Sequence, residues 1–109
     1  MELENIVFNI ILHAGNAKSN CFEALQVAKD GNFKKADQLI EQAKNELLEA
    51  HHVQTDMLQK EAAGEKKEVT LLLVHAEDHL MNAILAKDLI EEMIKLYKVL
   101  HAKGVEYCG

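Results

Sequence analysis

The stretch LLLVHAEDHLMNAI, Leu71 to Ile84, sets two histidines, an aspartate, a glutamate and an asparagine inside an apolar run. Polar side chains in such surroundings cost free energy unless they have partners or a task. His75 and His79 are one helical turn apart, a spacing at which two imidazoles can share a metal ion. The zinc-protease helix is not the match, because it needs Glu directly after the first His; here Ala76 stands there and Glu77 comes one place late. A histidine can also be the nucleophile itself. With an unperturbed pKa of ~6.5, imidazole is largely neutral near pH 7 and offers a nitrogen that can attack phosphorus. Phosphoryl transfer asks the protein mainly for positioning and charge management. No Lys or Arg is close to His75 in sequence, and His75 lies past the first turn of its helix, where the helix dipole has mostly faded. Stabilising donors would have to come from His79, from Gln54 or His52 on another element, or from another subunit. On the residues alone, His75 is a candidate phosphoacceptor or a candidate ligand.

Two breaks delimit the elements that must position these groups. KDGNF (Lys29 to Phe33) carries an Asp-Gly pair, and AGEKKEV (Ala63 to Val69) carries a Gly followed by charges. Gly31 and Gly64 suit the residue just past a helix C-terminus, where positive φ is needed, and Asn32 can cap the helix that follows. The expected helices are Leu3–Lys29, Phe33–Ala63 and Val69–Lys103. In the second, Phe33, Ala36, Ile40, Ala43, Leu47 and Ala50 fall on one seam in steps of three and four. Ile6, Ile10, Ala17, Cys21, Leu25 and Ala28 do the same in the first, and Leu85, Leu89, Met93, Leu96 and Leu100 in the third. Extending the third seam backwards reaches Asn82, Asp78 and His75, so the polar residues continue the seam expected to be buried. Helices near thirty residues are roughly 45 Å long, and short turns force them antiparallel, giving an all-α, up-down-up bundle. Its core is thin and rich in alanine, so self-association that buries a second apolar stripe is expected.

The chain has 109 residues, enough for one domain, here residues 1–109, with a single core. Its formal charge of -6 makes nucleic acid a poor partner. Cys21 and Cys108 form no C-x-x-C, and two cysteines do not make a disulfide scaffold, which points to a reducing cytoplasm. The opening MELENIVFNIILHAG is acidic where a secretion signal would be basic, and Asn9 and His13 break its apolar run. His13 and His101 read as background, His51 and His52 as surface or interface, and Met57, Met81 and Met93 as packing residues.

Together, HAEDHLMNAILAKDLIEEMIKLYK, EAHHVQTDMLQKEAAGE and ILHAGNAKSNCFEAL closely resemble the enzyme IIA component of the lactose/cellobiose-type sugar phosphotransferase system, from about Ile6 to Lys98. The resemblance implies a three-helix subunit that assembles as a homotrimer. It implies a relay in which HPr phosphorylates the first His of H-x-x-D-H, His75, and a cysteine of the IIB component takes the phosphoryl group on, driving uptake through IIC. Asp78, the Asp of that motif, would meet its symmetry mates at the trimer axis around a divalent cation such as magnesium, structural rather than catalytic. Three converging carboxylates repel, and a hard, oxygen-liganded cation relieves this. His79 and Gln54 would support the site. Glu77 departs from the family, which commonly has Gln there. A carboxylate can only repel a phosphoryl oxygen, so either Glu77 points away or the phosphohistidine is less stable than usual. FNIILHAGNA and LMNAI sit closer to the cellobiose and oligo-β-glucoside branch than to lactose. The rival readings are a metal-binding bundle using His75, Asp78 and His79 without phosphate chemistry, and a purely structural trimerising bundle.

Overall fold

The computed structural model describes residues 3–65 and 69–106. Three α-helices follow one another, α1 Leu3–Lys29, α2 Phe33–Ala62 and α3 Leu71–Ala102, and no strand occurs among the described residues. The first turn forms as its residues demand. Gly31 adopts φ +87°; its N–H donates to Ala28 O at 3.0 Å and that of Asn32 to Val27 O at 2.9 Å, closing the end of α1. Asn32 Oδ1 then accepts from Lys35 N at 3.2 Å and caps α2. The start of α3 differs from the expected Val69. Thr70 is the extended N-cap residue, and its hydroxyl accepts from Leu73 N at 3.1 Å, a bond that valine has no oxygen to make. At the other boundaries the helices end one residue earlier than expected, at Ala62 and Ala102.

Two ion pairs between helices report their relative direction. Lys98 reaches Asp37 at 3.0 Å and Lys44 reaches Glu91 at 3.7 Å, so α2 and α3 run antiparallel. The bundle measures 58 × 21 × 16 Å. α1 packs extensively against both other helices, which touch each other far less. Its inner face explains why: Ala14, Ala17, Cys21, Ala24 and Ala28 are all buried, and such small side chains let two helices approach the same surface. The core is thin and alanine-rich, as expected, with Ile10, Leu80 and Cys21 its largest fully enclosed side chains. Leu25 and Phe33, expected on the seams, are only half-buried at its edge.

The third helix corrects the sequence reading. Leu85, Leu89, Met93 and Leu96 do not face the core; they are 57%, 51%, 44% and 58% exposed. The face packed inward is Leu73, Ala76, Leu80, Ala83, Ile90 and Ile94. At about 100° per residue, α3 therefore carries two apolar stripes on nearly opposite sides. Both have three-four spacing, so periodicity alone could not say which one meets α1 and α2. Of the three methionines expected to pack, Met57 is buried while Met81 and Met93 lie on the exposed side. No helix among the described residues is long and apolar enough to cross a membrane.

Candidate functional site

His75 lies in the second turn of α3, on the exposed side of the helix. Its ring meets that of His79 edge to face, with centroids 5.4 Å apart and planes at 80°. The half-buried His79 thus braces one side of an otherwise accessible imidazole. Leu71, Leu72 and Val74 are exposed beside it, giving the histidine an aliphatic surround. Asp78 and Asn82 continue along the outward stripe, both exposed, and Asn82 Nδ2 donates to Asp78 Oδ2 at 3.5 Å. These groups belong to one face, in the register expected from the sequence, but the face is the solvent side of the protomer and not its core.

Gln54 and Glu77 are placed differently. Two residues along a helix turn it by about 200°, so Glu77 leaves α3 on the flank opposite His75. That flank faces α2, and Gln54 Nε2 donates to Glu77 Oε2 across the gap in a short hydrogen bond. The other carboxylate oxygen, Oε1, is buried and has no hydrogen-bond partner among the described residues. Within the protomer, Glu77 therefore points away from His75, the first of the two alternatives its departure from Gln raised. Gln54 has the cross-helix partner expected of a polar residue on a buried seam, but that partner is Glu77. His51 and His52 are exposed on α2.

His75, Asp78 and His79 do not gather into a metal site within one chain: among the described residues no three His, Cys, Asp or Glu side chains could hold an ion together. The oxygen of Asp78 is a hard donor suited to Mg²⁺ or Ca²⁺, but one carboxylate and a neighbouring amide fall short of a coordination shell.

Two polar groups outside this face escaped the sequence reading. His13 Nδ1 lies 2.6 Å from Glu46 Oε2, joining α1 to α2; thirty-three residues of separation left no local signal for it. Farther along the bundle, Lys87 contacts Asp88 at 2.8 Å and Glu91 at 3.0 Å. The side-chain hydrogen bond to Asp88 does most to hold the Lys87 pKa above its usual value. Cys21 is buried nearby, and desolvation pushes its thiol up to about 11. Cys108 lies outside the described residues.

Comparison with known proteins identifies the family. The family model described as the PTS system lactose/cellobiose-specific IIA subunit matches residues 5–98. The lichenan-specific phosphotransferase enzyme IIA component of Bacillus subtilis is 50% identical over 104 residues, 94% of this chain and 94% of that protein. The crystal structure of the PTS cellobiose-specific enzyme IIA from Bacillus anthracis superposes with a TM-score of 0.90 at 53% identity, covering 94% of this chain and 95% of the other. The IIA(chitobiose) of the Escherichia coli phosphotransferase system, solved in solution in complex with HPr, superposes with a TM-score of 0.81 at 42% identity, covering 93% and 98%. The chain belongs to the lactose/cellobiose-specific IIA family of the sugar phosphotransferase system, whose members are phosphotransferase components.

Proposed function

We propose that the protein is a cytoplasmic phosphohistidine carrier that receives a phosphoryl group from phospho-HPr on His75 and passes it to a cysteine of its IIB partner. The observation that carries the reading is His75 itself: an accessible imidazole on a helix face, braced by His79, with Leu71, Leu72 and Val74 exposed in the turn before it. In the first step a neutral His75 nitrogen attacks phosphorus; the new N–P bond forms as the donor's bond to phosphorus breaks, and the donor keeps that electron pair. In the second step the IIB thiolate attacks, and the pair returns to His75. The E. coli relative solved with HPr supports this choice of donor. The apolar surround suits brief docking, since transient interfaces combine a small apolar centre with a polar rim. The lichenan- and cellobiose-specific relatives favour a β-linked glucoside as the transported sugar over lactose.

The working form is a homotrimer, with the outward stripe of α3 at the axis. The stripe supplies the reason, because a helix apolar on two sides has one more face to bury than a lone protomer can cover. Asp78 points to that axis from three copies, where a divalent cation of the Mg²⁺ kind neutralises the carboxylates. The ion is a structural tie; His75, about 60° around the helix from Asp78, does the chemistry.

Intact-protein mass spectrometry under mildly alkaline conditions tests the relay after incubation with enzyme I, HPr and phosphoenolpyruvate. The expected result is one acid-labile addition of about 80 Da per chain, the mass of a phosphoryl group, absent from His75→Ala. An unchanged mass beside an active control IIA would overturn the reading.

A further inference from the structure

The formal charge of -6 is unevenly spread along the bundle. α1 ends at Lys29, α2 starts at Phe33 and α3 ends at Ala102, and the three meet at one end. There the Phe33 and His101 rings lie edge to face with centroids 5.4 Å apart, and Lys98 pairs with Asp37 at 3.0 Å. Residues 29–37 and 95–106 hold six lysines against Asp30, Asp37 and Glu106, a formal +3, which leaves -9 on the rest of the chain. Lys98 and Lys95 have partners in Asp37 and Glu92. No ion pair among the described residues engages Lys29, Lys34, Lys35 or Lys103, and the last three are exposed. Lys34 and Lys35 occupy the first turn of α2, which contains no acidic residue. A helix dipole favours acids there and disfavours lysine, so these two work against the helix that carries them, and the fold itself gives no reason for them.

We infer that this lysine-bearing end is a docking surface for an anionic lipid bilayer. The inference rests on the trimeric reading given above, because symmetry supplies its shape. Rotation about an axis parallel to α3 leaves all three copies pointing the same way, so three such ends, each of formal charge +3, share one plane across the axis. An anionic leaflet is also a plane and meets all three at once, whereas a nucleic acid is a line of charge that runs past one or two. The residue type agrees. All twelve basic residues of the chain are lysine and none is arginine. Lysine is a point charge suited to a diffuse negative field, and it lacks the planar fork that reads individual phosphates or bases. The acidic remainder does not cancel the attraction. The bundle is 58 Å long, and a charge more than about 8 Å from the surface is largely screened at physiological ionic strength. Each lysine near an anionic leaflet strengthens binding by about fivefold, and three linked copies bind as one multivalent unit. His75 and Lys103 are separated by about 28 residues of helix, roughly 40 Å at 1.5 Å each. A trimer standing on its lysine end is thereby kept at the membrane with its imidazoles uncovered.

Co-sedimentation with vesicles tests this, on samples whose assembly state is read by sedimentation velocity. The wild type is expected to pellet with vesicles of mixed phosphatidylglycerol and phosphatidylcholine at about 0.05 M salt and to be released at about 0.5 M. It should ignore phosphatidylcholine alone. Lys34→Gln/Lys35→Gln should remain folded and trimeric, yet bind at least about tenfold more weakly. Lys44→Gln/Lys60→Gln removes the same charge from the rest of α2 and should bind as the wild type does. A wild-type trimer that stays in the supernatant would overturn the inference and leave the assembly standing, and a monomeric wild type would overturn both. Equal weakening by the two double variants would also overturn it, by tracing the binding to net charge and not to this end. So would a trimer that passes over the vesicles yet binds polyuridine RNA, which would give the patch to nucleic acid. Phosphorylation of His75, measured separately, stands or falls independently of all these results.

Discussion

Leu89 and Ile90 are neighbours in sequence, yet truncating each to alanine should damage different things. Leu89 is 51% exposed in the protomer, whereas Ile90 is 3% exposed in the core. Fully burying a leucine is worth about 1.5–3 kcal/mol, so about half of that, roughly 0.8–1.5 kcal/mol per copy, is gained only when α3 stripes meet. Over three copies Leu89→Ala should cost about 2–5 kcal/mol of assembly free energy, a fall of roughly 30- to 3,000-fold in the association constant at 1.4 kcal/mol per factor of ten. The fold of each protomer should barely notice. Ile90→Ala, by contrast, opens a cavity in every protomer at about 2–5 kcal/mol. Sedimentation velocity across a dilution series, paired with circular dichroism melts, separates the two. Leu89→Ala should dissociate at higher concentration than wild type with its helical signal intact. Ile90→Ala should melt earlier even where both proteins are fully assembled. A Leu89→Ala protein that dissociates at the wild-type concentration would refute the placement of this stripe between subunits.

Other substitutions probe the rest of the molecule. Gln54→Ala removes the donor to the half-buried Glu77 carboxylate and should cost about 1 kcal/mol, seen as a melting temperature a few degrees lower; Glu77→Gln keeps an acceptor for Gln54 and should melt near the wild-type temperature. Cys21 should label with a thiol reagent only when the bundle opens, because its thiol is buried and raised to about 11 from 9.0. Since the folded protein holds that proton more tightly than the unfolded chain, stability is retained below about pH 9 and falls by about 2–3 kcal/mol as pH rises through 11. Denaturation at a series of pH values should show this slope in the wild type and its loss in Cys21→Ala.

The helices themselves were legible because their punctuation is local. Asp30-Gly31-Asn32 contains both a chain stop and the next cap, and the structure uses each as such. Gly64 likewise marks the second turn, at φ +99°. What sequence could not assign was the destination of the leucine seam of α3. Leu85 and Leu89 have the same spacing as residues that enter a core, and only the packing of α1 beneath Ala76, Ala83 and Ile90 turns them outward. His75, Asp78 and Asn82 share the face read from their spacing, since helical register is fixed by number alone. The orientation of Glu77 towards Gln54 depended on where α2 lies, twenty-three residues away in the chain, and no local pattern encodes that.

The order in which the helices meet has a kinetic consequence. α1 pairs with its immediate successor, and the sequence contains no proline. Prolyl isomerisation, the usual origin of phases lasting tens of seconds, is therefore absent from refolding. Small helical bundles gain their native topology in microseconds to milliseconds. The slow phase expected of the proposed trimer is the encounter between chains, and its rate will climb with concentration. For the proposed trimer, the time from synthesis to a working carrier then depends on how many copies are present to find one another.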